Sequence, residues 1–270
     1  MLGTLIGRQE QLLDSYTYVI VGGGTAGLTV ANRLSEDPET TVLVLEAGVP
    51  DHKECAAILQ RCIGDTMRSV YDWNITTEPQ IYLNGKPQNL PIGKALGGSS
   101  LLNGMMFDRG APGDYDMWED LGNPGWGWAG LLPYFKKSET FTPPKPEHVA
   151  QFGITYDPSV HGFDGYVQSG YPNFIYPQDN AMKSLGITQS QDQAGGALGT
   201  FWSPNTIDPK NMTRSYSRNA YYDNFVARQN LHVYTSRQVT KLITEDNDEE
   251  SGKGIKISGV EVSSHDSVGS

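Results

Sequence analysis

The sequence predicts an α/β fold with a parallel sheet, because a strand, a glycine-rich turn, a helix and a second strand follow one another near its start. Residues 18–21 form a short β-branched run that ends at Gly22-Gly23-Gly24-Thr25-Ala26-Gly27. From Leu28 onward, apolar residues recur at helical spacing. Residues 41–45 are then continuously apolar, which is typical of a parallel strand buried on both faces. The four segments together predict a β–α–β unit.

The glycine-rich turn has the spacing Gly-x-Gly-x-x-Gly between strand and helix, which is the context of a dinucleotide-binding turn. Gly22 permits the tight turn, Gly24 lets the backbone approach a diphosphate, and Gly27 lets the helix pack closely on the strand. Thr25 and Ala26 lie in the first helical turn, where unpaired N–H groups face the phosphates. This segment is therefore predicted to hold a diphosphate.

Glu46 ends the second strand, 19 residues after Gly27 (46 − 27). A carboxylate at this position can accept hydrogen bonds from both hydroxyls of an adenosine ribose, and it would repel a 2′-phosphate. The pattern predicts an adenine dinucleotide as cofactor. On its own, it does not separate FAD from NAD.

A second glycine-rich segment covers residues 93–110. Gly97 and Gly98 allow close approach of backbone to a ligand, and Ser99 and Ser100 add hydroxyl groups beside them. Apolar residues resume at Leu101, so the segment is predicted to be a buried, ligand-facing turn and not a flexible linker.

Composition excludes several classes of partner. The chain has 270 residues and a net charge of −11, which disfavours nucleic acid and anionic membranes as partners. No apolar run is long enough to span a bilayer. The apolar stretch at the N-terminus is too short for a signal peptide, so we predict a cytoplasmic location, with secretion as the alternative.

Two small features carry less weight. If residues 54–61 are helical, Cys55 and Cys62 lie about 10 Å apart, which is too far for a disulfide. Asn74-Ile75-Thr76 and Asn211-Met212-Thr213 fit the glycosylation pattern, but such triplets are common by chance.

Six stretches of the chain resemble the glucose–methanol–choline (GMC) flavin oxidoreductases, and the resemblance covers nearly all of residues 16–262. These stretches are 22–27 with 42–48, the highly specific segment 93–116, and the runs 114–118, 122–128 and 132–139. The resemblance implies FAD and not NAD, with residues 97–106 along the flavin and the Val239 backbone beside the adenine. The predicted cofactor-binding residues are Gly22, Gly24, Thr25, Ala26, Gly27, Glu46, Ala47, Gly97, Gly98, Ser99, Asn103, Gly104, Met106 and Val239.

The resemblance also implies how FAD is held. Some family members bind flavin covalently through a histidine just before the asparagine, where this chain has Leu102. Leucine cannot form that bond, so we expect noncovalent FAD.

The predicted architecture is a Rossmann-like FAD-binding domain, incomplete, over 16–140 and 214–270, with part of an α+β substrate-binding domain over 141–213. A helix is predicted over 214–228, and strands over 230–235, 238–243 and 259–262. Residues 245–250 are predicted to form an acidic turn, and His161 lies in a predicted turn that opens the substrate domain.

The resemblance implies an FAD-dependent enzyme that oxidises the CH–OH group of a small-molecule alcohol by hydride transfer to flavin. The family's catalytic histidine lies in a C-terminal segment, and none of the five histidines here matches it. We therefore assign no catalytic residue and no metal ligand, and expect a truncated chain prone to self-association through an incomplete sheet. The alternatives are an inactive flavin-binding remnant and an NAD-dependent dehydrogenase.

Overall fold

A computed structural model of the chain describes residues 12–173, 184–196, 199–245 and 255–264. Its α-helices are α1 (Thr25–Leu34), α2 (Cys55–Ile58), α3 (Pro112–Asp120), α4 (Trp128–Ser138), α5 (Pro146–Phe152) and α6 (Ser217–Tyr221). Its strands are β1 (Tyr18–Val21), β2 (Val42–Leu45), β3 (Ile75–Thr76), β4 (Asn89–Leu90), β5 (Glu139–Phe141), β6 (Val167–Ser169), β7 (Ile207–Asp208), β8 (Thr213–Arg214), β9 (Leu231–Tyr234), β10 (Arg237–Glu245) and β11 (Lys256–Ser264). Short 3₁₀ helices cover Gln60–Cys62, Ile81–Leu83, Gly98–Ser100, Gln193–Gly195 and Asp223–Phe225.

The chain divides into two compact units. Unit 1 comprises Met1–Ala57, Cys62–Leu102 and Ser217–Ser270, and unit 2 comprises Ile58–Arg61 and Asn103–Tyr216. The assignment of a FAD-binding and a substrate-binding domain to parts of the chain stays a prediction. Within the described ranges, no helix has the length and apolar character that a membrane crossing requires.

The centre of unit 1 is a parallel sheet in the order β1-β2-β9. All four residues of β2 are buried, as the continuous apolar run predicts. The register aligns Val44 with Ile20 on one side and with Val233 on the other. Helix α1 follows β1 and buries Leu28 and Ala31. The predicted α/β fold is therefore confirmed.

An antiparallel hairpin of β10 and β11 follows the sheet in unit 1. Val239 and Val260 from this hairpin pack against the buried side chains of Leu43, Leu45 and Tyr234. The predicted strands at 230–235, 238–243 and 259–262 are confirmed, and the hairpin strands are longer than predicted. Most of the predicted acidic turn lies outside the described residues.

The expectation about the two cysteines is wrong, because Cys55 and Cys62 form a disulfide with their Cα atoms 6.2 Å apart. The predicted helix over 54–61 is only one turn long, since α2 ends at Ile58. A separate 3₁₀ turn then carries Cys62 back toward Cys55. Helix propensity favoured one continuous helix. The α-helix instead ends at Ile58, and the separate turn that follows allows the two cysteines to bond.

The predicted helix over 214–228 is also largely wrong. Arg214 ends β8, which pairs with β7 in unit 2. Within residues 214–228, only Ser217–Tyr221 is α-helical, and a 3₁₀ turn at Asp223–Phe225 follows. Strand pairing at one end and this change of helix type at the other limit the helix to five residues.

Unit 2 contains the parallel pair β5–β6 and a small core of Phe141, Ile154 and Tyr171. Trp202 and Phe152 pack at the margin of this core. Beside it, Arg109, Glu139, His161 and Asp192 form a buried cluster of charged side chains, which we call the ionic cluster.

His161 is buried at the centre of the ionic cluster, in the segment that leads through the bend at 164–166 into β6. Its Nδ1 lies 3.1 Å from both carboxylate oxygens of Glu139, and its Nε2 lies 3.0 Å from Oδ2 of Asp192. The ring also stacks on Phe141 at a centroid distance of 3.8 Å. Because both ring nitrogens face carboxylates, both must donate, and the ring is an imidazolium.

Burial alone would lower the pKa of His161, but the hydrogen bonds to Asp192 and Glu139 outweigh it and raise the pKa to about 9. Burial likewise favours a higher pKa for Glu139, yet the bonds from His161 and Ser169 and the charges of His161 and Arg109 hold that pKa below its usual value. The ionic cluster is therefore charged at neutral pH.

Candidate dinucleotide-binding site

The first glycine loop has the geometry that its spacing predicts. Gly22 has a φ of +98°, and its N–H donates to the Leu45 carbonyl at 2.8 Å. A Cβ on Gly27 would lie 1.9 Å from the Gly22 carbonyl oxygen and 3.4 Å from Cγ2 of Ile20. Only glycine lets the helix approach the strand this closely.

The N-terminus of α1 is open to an anion. Thr25 and Ala26 are exposed, and the first intrahelical hydrogen bond runs from Leu28 N to Gly24 O at 3.1 Å. The N–H groups of the first turn therefore precede the helical hydrogen-bond ladder. The first turn carries no acidic residue. These features fit a bound diphosphate.

Glu46 braces the glycine loop from the end of β2. Its side chain accepts a hydrogen bond from Gly23 N at 2.8 Å and one from Gly48 N at 2.7 Å, and the residue is only 6% exposed. Burial raises the pKa of Glu46, while the two backbone bonds and the charge of Lys94 act in the opposite direction. A carboxylate has about four acceptor positions, so these bonds leave capacity for ribose hydroxyls.

The second glycine loop lies directly against the first within unit 1. Gly97 N donates to Gly23 O at 2.8 Å, and a Cβ on Gly98 would lie 2.7 Å from Cα of Gly24. Gly98 also has a φ of +54°, which favours glycine. The exposed Ser99 accepts from Gly93 N at 3.1 Å. Two loops about 70 residues apart in sequence thus form one continuous glycine surface.

Two serines support this second loop, and sequence reasoning assigned neither of them that role. Ser100 Oγ and Ser217 Oγ both donate to the Gly97 carbonyl, at 2.5 Å and 3.0 Å. The two hydroxyls also lie 3.0 Å from each other. Ser100 lies within the glycine-rich segment 93–110. Nothing in the local sequence around Ser217 indicates its contact with Gly97.

The start of β10 is anchored to the loop that follows β2. Ser236 N donates to Gly48 O at 2.9 Å, and Arg237 N donates to Glu46 O at 2.8 Å. This places Val239, which is partly buried, on the strand that leaves the Glu46 loop. Ala47, also partly buried, lies within the same loop.

The remaining predicted residues, Asn103, Gly104 and Met106, belong to unit 2 and are all exposed. Asn103 Oδ1 accepts from Met105 N at 3.0 Å and from Nη1 of Arg214 at 2.7 Å. The same Nη1 also donates to the Asn103 carbonyl oxygen, at 2.9 Å. Arg214 is buried, and burial lowers its pKa to about 10. Asn103 is therefore held in a fixed orientation, and sequence reasoning did not find the arginine that holds it.

Within the described ranges, no three His, Cys, Asp or Glu side chains gather closely enough to hold a metal ion. The glycine surface, the open helix N-terminus and the acid at the end of β2 instead define an α/β protein that binds an adenine dinucleotide. Residues 16–270 match the family model for GMC oxidoreductases. The chain belongs to the GMC oxidoreductase family, and its cofactor is FAD.

Individual relatives agree with this assignment. The chain is 42% identical over 246 residues to the dehydrogenase xptC of Emericella nidulans, a match that spans 89% of this chain and 39% of the relative. It is similar to the solved FAD-dependent oxidoreductase of Chaetomium thermophilum, with 38% identity and a TM-score of 0.81 over 90% of this chain and 43% of that one. A fungal aryl-alcohol oxidase matches with 31% identity and a TM-score of 0.77 over 91% of this chain and 42% of that one. The chain thus spans about two fifths of the length of these relatives.

Proposed function

We propose that this chain is the FAD-binding part of an oxidoreductase that removes hydride from the CH–OH group of a small-molecule alcohol. The observation that carries the proposal is the contact between the two glycine loops at Gly24 and Gly98. Such a surface lets a flat, charged cofactor lie against bare backbone, as neither loop presents a Cβ there.

Bound FAD supplies the hydride acceptor. The residues of the chain hold and orient it: the first turn of α1 faces the diphosphate, and Glu46 fixes the glycine loop while accepting from the ribose. The backbone at Gly97 and Gly98 approaches the flavin side, and the start of β10 near Val239 faces the adenine. No residue of this chain is proposed as the base that acts on the substrate.

The alcohol as substrate class rests on the similarity to the aryl-alcohol oxidase. That the chain is a truncated form of a longer enzyme is likewise a proposal, supported by the share of the relatives that it spans. Among the described strands, none pairs with the outer edge of β1, where Tyr18, Val19 and Val21 are exposed, and this supports the prediction of self-association.

FAD is expected to be released completely when the reconstituted protein is precipitated with acid. Leu102 is buried and has no nucleophilic atom, so it cannot form a covalent bond to flavin. The absorbance of the supernatant and of the washed pellet measures the release. Yellow colour retained in the pellet would contradict noncovalent binding.

Glu46→Ala is expected to weaken FAD binding about 5- to 150-fold, which corresponds to about 1–3 kcal/mol. The change strands two ribose hydroxyls and leaves the N–H groups of Gly23 and Gly48 without their acceptor. Flavin fluorescence titration measures the affinity, and Glu39→Ala, at an exposed position, is the control. Equal affinities for the two variants would show that the ribose binds elsewhere.

A further inference from the structure

The triplet Asn74-Ile75-Thr76 is exposed in unit 1, where Asn74 lies two residues after the buried Asp72 and directly before β3. Asn74 has a φ of +55°, and Asp72 Oδ1 accepts from its backbone N–H at 3.1 Å. The Asn74 side-chain nitrogen makes only long hydrogen bonds, to Ser69 O at 3.4 Å and to Asp72 O at 3.3 Å. The amide that an N-linked glycan would modify is therefore accessible and weakly held.

Thr76, the hydroxyl residue of the triplet, is also exposed and lies in β3 opposite Asn89 of β4. Around the triplet, apolar side chains face solvent: Trp73 is 37% exposed, Ile75 41% and Leu90 46%. A bulky, hydrated glycan at Asn74 would lie beside this exposed apolar surface.

The second triplet has a different environment. Asn211 Oδ1 accepts from Thr213 N at 3.0 Å and from Thr213 Oγ1 at 2.6 Å, and its Nδ2 donates to Asp208 at 3.2 Å. The buried Arg214 follows directly. Both ends of the Asn211 amide are thus engaged, which distinguishes this turn from the one at Asn74.

The Cys55–Cys62 disulfide, in the same unit, is an independent observation about the compartment. Disulfides form and persist in oxidising compartments and are rare in the cytosol. Oxidising compartments of the secretory pathway are also where N-linked glycans are added.

We propose that Asn74 is an N-glycosylation site and that the chain matures in an oxidising secretory compartment, in place of the predicted cytoplasm. In the transfer, Nδ2 of Asn74 bonds to the anomeric carbon of a lipid-linked oligosaccharide, the bond from that carbon to the diphosphate breaks, and Nδ2 loses one proton. The cysteines lose two protons and two electrons to the disulfide of an oxidoreductase.

Cell-free translation behind a secretion leader, in the presence of endoplasmic-reticulum microsomes, tests the site without depending on folding. In an Asn211→Gln background, the chain should show one gel shift that endoglycosidase removes. Adding Thr76→Ala should abolish the shift, and Thr76→Ser should restore it, because serine keeps the triplet functional. No shift in the Asn211→Gln chain, or a shift that survives Thr76→Ala, would overturn the assignment.

The protein isolated with antibody from its own organism tests the compartment. It should move faster on a gel after endoglycosidase treatment, and maleimide should label Cys55 and Cys62 only after reduction. A band that endoglycosidase does not shift, or thiols that are labelled without reduction, would contradict maturation in the secretory pathway. Neither outcome bears on whether the chain binds FAD.

Discussion

Glu139→Gln is expected to lower the free energy of unfolding of unit 2 by about 3–5 kcal/mol, as is usual when one partner of a buried ion pair is removed. Glu139 accepts from Arg109 at 2.8 Å and from Ser169 at 2.7 Å, and it contacts His161. Glutamine keeps the size of the side chain but leaves the charges of Arg109 and His161 without this carboxylate.

Tryptophan fluorescence during urea unfolding measures this effect, since four of the five tryptophans (Trp118, Trp126, Trp128 and Trp202) belong to unit 2. The control is Glu36→Gln, which removes the carboxylate of the exposed Arg33–Glu36 pair and should change stability by about 1 kcal/mol or less. If Glu139→Gln lowers the free energy of unfolding no more than the control Glu36→Gln does, the ionic cluster does not depend on Glu139.

The same cluster predicts how stability depends on pH. The pKa of His161 is raised from 6.5 to about 9, so its contribution is complete below about pH 6.5 and is lost as the pH rises through 9. The lowered pKa values of Glu139 and Asp192 act at the other end, because their contributions are lost on acidification. In Glu139→Gln, the alkaline loss should begin at lower pH, since one of the two carboxylates that hold the proton is gone.

Gly27→Ala is expected to destabilise unit 1 by about 1–3 kcal/mol or more, as in other overpacked sites. The new Cβ would lie 1.9 Å from the Gly22 carbonyl oxygen, and a backbone atom cannot rotate away as a side chain can. Hydrogen exchange of the β1 and β2 amides measures the loss. Gly113→Ala, in α3, meets no atom within 4 Å and should be tolerated. Unchanged exchange in Gly27→Ala would mean that α1 and β1 are less closely packed than the structure shows.

Local patterns predicted the central part of unit 1. The run 41–45 specified β2 and the glycine spacing specified the loop, because each depends on neighbours in sequence or on backbone geometry. The hydrogen bonds by which Glu46 holds Gly23 and Gly48 were not predicted. The sequence did not reveal the ionic cluster, since His161 meets Glu139 and Asp192 only through the folding of unit 2. The roles of Ser217 and Arg214 were missed for the same reason: their partners, Gly97 and Asn103, are more than 100 residues away.

The errors in secondary structure have a common cause. Composition favoured helices over 54–61 and 214–228, but contacts that local composition does not encode decided both cases. The disulfide closes the first segment into two short turns, and the pairing of β8 with β7 removes the start of the second. Helix propensity amounts to less than about 1 kcal/mol per residue, so such tertiary contacts override it.

The claim that the glycine surface binds the diphosphate of FAD is tested most directly by titrating Gly24→Ala with FAD. Gly24 has an ordinary φ of −84°, and a Cβ there would lie 3.8 Å from its nearest neighbour, Cα of Gly98. The apoprotein should therefore unfold at the same urea concentration as the unsubstituted chain. If the diphosphate lies against this backbone, the added methyl group displaces it, and affinity should fall at least about tenfold, or 1.4 kcal/mol. Unchanged affinity in a normally folded Gly24→Ala protein would show that FAD does not approach this loop.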